Sequence, residues 1–263
     1  YAWLGPGHFG SLISGPYPDG RRVIWSNGRQ QIVKLDYDTL EVLATLEVGD
    51  EAATSVADMA SDVAGLDDLT GDEAILHAAG VAMRYLTGLD GVYALLDHHH
   101  TLFLGRKASA VAYADAVPGD QSSAIVEKAR WDKPQEIEGF FVGMNMTPDG
   151  RLVMSTDHGW LVSLTRDFSS YEAVLLPGAT EQAAGHCARM EAERGNTAYG
   201  WVRTSLCCDE AGGIYANSVD HVHKVVWTGE AFLQAPADGA WCAAYRYGTG
   251  LGPGHTPSPR GCR

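Results

Sequence analysis

Basic residues are scarce in this sequence: 19 Lys and Arg stand against 33 Asp and Glu, a formal net charge of −14 at pH 7. Phosphate backbones are bound through clustered Lys and Arg, so that balance argues against nucleic acid as a partner. Long apolar runs are missing as well. Nothing approaches the roughly 20 consecutive apolar residues of a membrane-spanning helix. The opening Tyr1-Ala2-Trp3-Leu4 has neither the basic region nor the apolar core of a secretory signal. A soluble protein with no membrane partner is expected, its compartment left open. The five cysteines (Cys187, Cys207, Cys208, Cys242, Cys262) are odd in number and include no C-x-x-C pair. Neither a disulfide framework nor a zinc ribbon is implied. No G-x-S-x-G elbow presents a serine, and GTGLGPG at 248–254 lacks the flanking strand and helix of a phosphate loop, so it reads as part of a Gly/Pro-rich tail over 248–263.

What the chain does have is repetition. Its 263 residues, 45% hydrophobic and 20% charged, are enough for one large core or two small ones. Short strands separated by turn residues recur along most of that length, the pattern of a radial or solenoid repeat. The segment PYPDGRRVIWSNGRQQIVKLDYDTLEVLATLEV (16–48) holds an Asp-Gly turn, a strand, a turn at Asn27-Gly28, a strand ending at Asp36 and a last strand from Leu40 to Val48. GFFVGMNMTPDGRLVMSTDHGWLVSL (139–164) repeats it, with Pro148-Asp149-Gly150 matching Pro18-Asp19-Gly20. Further copies start at Gly91 and Ser205, and Asp97 to His100 fall on the first hairpin turn of theirs.

The expected fold is therefore all-β, a single β-propeller domain over 1–263 with about four four-stranded blades. An acidic loop and helix are expected as an insertion over 50–88. Within it Leu76, Ala79, Met83 and Leu86 share one helical face behind a Thr70/Glu73 capping box. A second interruption, 179–200, reads as a loop or short helix. DGAWCAAYRYG, from Asp238, starts like another blade that never completes. Either four blades close with the tail pinned against the first, or this is part of a larger propeller whose open edges another copy of the chain covers. Pairing into a homodimer is expected on that ground.

Three stretches share one order of residues, acid, Gly, a small or apolar residue, then an aromatic: LDGVYAL at 89–95, IEGFFVG at 137–143 and ADGAWCA at 237–243. With His8 in the matching place of the first copy, they nominate His8, Asp90, Glu138 and Asp238 as a ring around a central channel. Carboxylates gathered on one axis repel unless they are protonated or share a cation, so a divalent metal ion is expected. The plain alternative is that acid-Gly marks a solvated turn before each strand. Ten histidines add to the metal reading. His221 and His223 are spaced to share a strand face, whereas the DHHH run at 97–100 belongs to a turn and is expected to be inert.

The acid-Gly dipeptide with its aromatic, the Pro-Asp-Gly hairpin and the Asp of STDHG together resemble the propellers of the gluconolactonase, senescence-marker and strictosidine-synthase-like group. That resemblance is strongest over 138–164. It implies a central divalent metal and hydrolysis of a lactone, ester or phosphotriester, with Glu138 as the first metal-binding Glu and Asp157 as the Asp after the hairpin turn. Val142 stands where the group's pattern has Asn, and Asn217 to His221 offers an amide or imidazole in its place. Calcium is the group's usual ion, and a mixed imidazole and carboxylate set suits zinc or manganese.

Three classes follow: a metal-dependent hydrolase of a neutral small molecule, with Asp157, His158 or His221 taking the proton of a metal-bound water; a propeller scaffold without activity; and a quinone-dependent oxidoreductase. The seven Trp keep no fixed period, which ranks the third last.

Overall fold

Turn chemistry sets the fold. A computed structural model describes residues 11–27, 31–48, 93–106, 108–179, 185–186, 188, 201–218 and 221–244. It is all-β, and the chain divides into two compact units, Tyr1–Arg130 and Trp131–Arg263. The helix expected within 50–88, and the tail 248–263, lie outside the described residues. The interruption after Leu176 does carry helical residues, at Ala179, Gly185, His186 and Ala188.

The first unit holds two antiparallel meanders. One runs β1 (Ser11–Ile13), β2 (Val23–Asn27), β3 (Gln31–Asp36) and β4 (Val42–Glu47). The next is β5 (Tyr93–Leu96), β6 (Leu102–Gly105), β7 (Ser109–Asp115) and β8 (Ile125–Asp132). The second unit repeats the design with β9 (Phe141–Met146), β10 (Leu152–Thr156), β11 (Trp160–Leu164) and β12 (Tyr171–Leu175). Its other sheet is β13 (Val202–Cys208), β14 (Gly213–Ser218), β15 (His221–Trp227) and β16 (Phe232–Leu233), with β17 (Trp241–Ala244) also on β15. Each is the kind of sheet from which propeller blades are made.

All four first hairpins share one turn. A residue's amide donates to the carbonyl of the fourth residue after it, and its own carbonyl accepts from the amide of the third: Tyr17 with Arg21 and Gly20, Asp97 with Thr101 and His100, Thr147 with Arg151 and Gly150, Asp209 with Gly213 and Gly212. That geometry needs a left-handed residue. Gly20, Gly150 and Gly212 take it at φ of 84°, 82° and 82°, and His100 takes it at 61°. DHHH is thus a hairpin turn. The carboxylate of Asp97 accepts the amides of His99 and Thr101, at 2.9 and 2.8 Å.

The incomplete last blade is not what the sequence order suggests. Trp241–Ala244 pairs with His221–Lys224 while Phe232–Leu233 pairs with Val226 and Trp227, so β16 and β17 are two halves of one outer strand on β15. Asp238 accordingly lies in the connection between them and does not head an innermost strand. A Trp, Cys, Ala, Ala run suits an edge as well as a channel wall, which is why the pattern misled.

Within each unit the sheets bury a face on one another. In the first, Val23, Trp25 and Ile32 pack with Leu102, Leu104, Val111 and Tyr113. In the second, Val153 and Leu161 pack with Trp201, Ile214, Val225 and Trp227. Polar ties cross both seams. Lys34 of β3, fully buried, meets Asp115 of β7 at 2.5 Å and the Ser123 carbonyl at 2.8 Å, its ammonium 5.3 Å from the Trp25 ring centre. Tyr17 donates to the other Asp115 oxygen at 2.9 Å and stacks on His100, with ring centroids 3.8 Å apart. Burial first, then the charge of Asp115, pushes the Tyr17 hydroxyl far up, and burial pushes the His100 imidazole down. In the second unit Trp227 donates to Asp149 at 2.9 Å, and Asn145 to the Leu206 carbonyl at 2.9 Å.

Removing one member of a buried ion pair leaves the other charge stranded. Lys34→Met is therefore expected to cost about 3–5 kcal/mol in denaturant unfolding. Adding Asp115→Asn, which removes the stranded charge, should recover part of that loss.

Candidate functional site

A connected polar group at a strand end in the second unit is built on the turn between β10 and β11. Gly159 donates to the Thr156 carbonyl at 3.0 Å and closes a tight turn around Asp157 and His158. Asp157 is 5% exposed and tied on three sides. Its backbone amide donates to the Phe140 carbonyl at 2.9 Å, its carbonyl accepts from Val202 at 3.0 Å, and its carboxylate Oδ1 accepts from the Phe140 amide at 2.7 Å. The same Oδ1 lies 2.9 Å from His158 Nδ1. A buried carboxylate fixed by a backbone donor thus orients an imidazole.

The His158 side chain is 33% exposed, and with Nδ1 occupied its Nε2 is the nitrogen left to serve solvent. The hydrogen bond it donates to Asp157 raises its pKa above the usual histidine value, burial opposes, and the charges of Asp157 and Glu138 add to the rise. Lys133 opposes from the connection after β8. Its ammonium bonds the Ile137 carbonyl. Burial holds its pKa below the ordinary lysine value, against the charges of Asp157, Glu138 and Glu136.

Gly139 lets these groups meet. It sits at φ 83°, and a Cβ there would overlap Asp157 Oδ1 and come within 2.6 Å of His158 Nδ1. The Gly of acid-Gly is therefore required by a close approach to the dyad as well as by backbone conformation.

The sequence-nominated residues divide as follows. Glu138, exposed, joins Asp157 and His158 in one electrostatic cluster. His221 lies at the start of β15, its amide bonded to Ser218 Oγ at 3.2 Å and its ring 6.0 Å from that of buried His223. Asp238 is in the β16–β17 connection, and His8 and Asp90 are outside the described residues. Among the described residues no group of three or more His, Cys, Asp or Glu is placed to hold a metal ion. Around Glu138 the positive charge among the described residues that acts on it is Lys133. Lys133 and Phe140 carry no motif of their own, whereas Gly139 is the Gly of the recurring acid-Gly pair.

No protein-family profile matches the chain. An uncharacterized protein of Archaeoglobus fulgidus is 24% identical over 260 residues, covering 95% of this chain and 40% of that protein. The chain thus spans less than half the length of that relative. A functionally unknown protein from Desulfotomaculum acetoxidans superposes with a TM-score of 0.46 at 10% identity, over 80% of this chain and 48% of that one. A catalytically inactive virginiamycin B lyase from Staphylococcus aureus, solved with quinupristin, gives 0.43 at 10% identity over 88% and 61%. The Cps50 (Swd1) β-propeller domain of Myceliophteria thermophila gives 0.44 at 13% over 88% and 55%. Scores this low say nothing about activity. The resemblance to the gluconolactonase-like group rests on the residues alone. No helix among the described residues is long and apolar enough to cross a membrane.

Because the hydrogen bond to the Asp157 carboxylate is the largest cause of the raised pKa, Asp157→Asn is expected to lower the His158 pKa toward or below the ordinary histidine value. Gly139→Ala should act in the same direction by forcing the pair apart. Both shifts are read from the imidazole resonances in an NMR pH titration. The linkage sign is set by the raised folded value: the pair contributes stability that is complete below about pH 6.5 and is lost as pH rises through the folded pKa.

Proposed function

We propose that the chain hydrolyses a neutral ester, lactone or phosphotriester, with His158 as the general base that activates water. The observation that carries this reading is the Asp157–His158 pair, in which a buried, backbone-anchored carboxylate holds Nδ1 and leaves Nε2 toward solvent. Water donates its proton to Nε2 as its oxygen attacks the carbonyl or phosphoryl centre, and Asp157 stabilises the imidazolium that forms. The leaving oxygen then takes that proton back from Nε2. Lys133 contributes positive charge against the developing oxyanion. A protein of net charge −14 repels dianions and favours an uncharged substrate.

The divalent ion on His8, Asp90, Glu138 and Asp238 stays a separate proposal, tested by elemental analysis of the purified protein, and no step here runs through it. Pairing of two chains is likewise a proposal, tested by scattering.

His158→Ala is expected to lower kcat/KM for a simple lactone or ester by about 100-fold or more, measured above the pH range in which the pair adds stability and with the chain still unfolding cooperatively. In the intact protein, kcat/KM should rise with pH through the raised His158 pKa, and Asp157→Asn should move that limb to lower pH. Hydrolysis unchanged by His158→Ala would leave the propeller-scaffold reading in its place.

A further inference from the structure

We infer that the β5–β6 hairpin is a pH-sensitive latch: the uncharged His100 ring docks it on Tyr17 of the β1–β2 hairpin, and a proton on that ring releases it. The inference is independent of the hydrolase reading above, since every group in it lies in the first unit. The turn after Asp97 takes its left-handed residue from His100 at φ 61°, where the other three first hairpins use Gly20, Gly150 and Gly212. Glycine meets that backbone without steric cost, so the turn alone does not call for an imidazole. The ring has a use beyond the turn. It lies flat on Tyr17, with centroids 3.8 Å and planes 15° apart.

That contact suits the neutral ring. His100 Nδ1 is buried without a hydrogen-bond partner. Protonation places a hydrogen on both ring nitrogens, and on Nδ1 it would be a buried, charged donor with no acceptor. The carboxylates nearest in charge are already engaged: Asp115 of β7 holds Lys34 of β3 and the Tyr17 hydroxyl, and Asp97 accepts the amides of His99 and Thr101. Burial holds the His100 pKa below the ordinary histidine value, Asp115 and Asp97 oppose, and the neighbouring His99 and His98 add to the fall. With the folded value depressed, the latch contributes stability that is complete above about pH 6.5 and is lost as pH falls from there through the folded pKa.

The test is backbone amide exchange, corrected for its intrinsic pH dependence, in the two tied hairpins. The His100 and Gly20 amides, which close those turns, should lose protection several-fold between about pH 7.5 and about pH 5.5. The Gly212 amide, in a turn of the second unit that contains no histidine, should keep its own. His100→Gly keeps the left-handed backbone accessible, and is expected to lower protection at Gly20 at the higher pH with no further loss on acidification. Replacing His98 and His99 by Gln should leave the response intact. An acid response that survives His100→Gly, or a His100 imidazole that titrates by NMR at or above the ordinary value, overturns the latch. A parallel loss at Gly212 overturns it too, by marking general acid unfolding.

Discussion

A four-stranded meander has two faces and cannot bury both by itself, and everything else in this protein follows from that constraint. In each unit the solution is a second meander laid against the first, with the apolar residues of adjacent sheets interleaved along one seam. Because the two sheets are joined by side chains and not by a shared hydrogen-bond ladder, the seam has to be specified side chain by side chain. The first unit does this with a buried cation on β3 and a buried carboxylate on β7. The second uses a Trp–Asp hydrogen bond together with Arg151 lying over the Trp227 ring at 4.8 Å.

These ties differ in energetic character. The Lys34–Asp115 pair loses hydration on both charges and recovers it through the Ser123 carbonyl, the Tyr17 hydroxyl and the Trp25 ring, so it specifies alignment more than it adds stability. Asp149 is a turn residue first. Its backbone position is set by the Thr147–Gly150–Arg151 hairpin, and only then does its carboxylate reach Trp227. Turn geometry and sheet stacking are thus one system in the second unit.

The Asp157–His158 pair exploits the same economy. A turn between two strands places the residues adjacent in sequence, and the chain entering β9 closes over them with a glycine and two backbone hydrogen bonds. The carboxylate is buried where Phe140, just before β9, and Val202, at the start of β13, both bond to its backbone. The imidazole stays open because it projects past them. Two consecutive residues thus have different environments, a buried carboxylate and a partly exposed imidazole.

Strand boundaries, the four first hairpins and the all-β class could be read from the chain, since Pro-Asp-Gly, Asp-Glu-Ala-Gly and alternating apolar residues act locally. Glu138, Asp157 and His158 were legible for the same reason, as members of one repeat. Two things were not. The run from Trp241 reads as a new inner strand, yet pairs as the second half of an outer one, because strand pairing is decided by which edge is vacant in space. The work of Gly139 and Lys133 was equally hidden: a glycine looks like a turn residue until a carboxylate lies against it, and a lysine looks solvated until three acids surround it. Local backbone preference is written in neighbouring residues, whereas closeness between residues 133, 139 and 157 exists only once the sheet has brought them together.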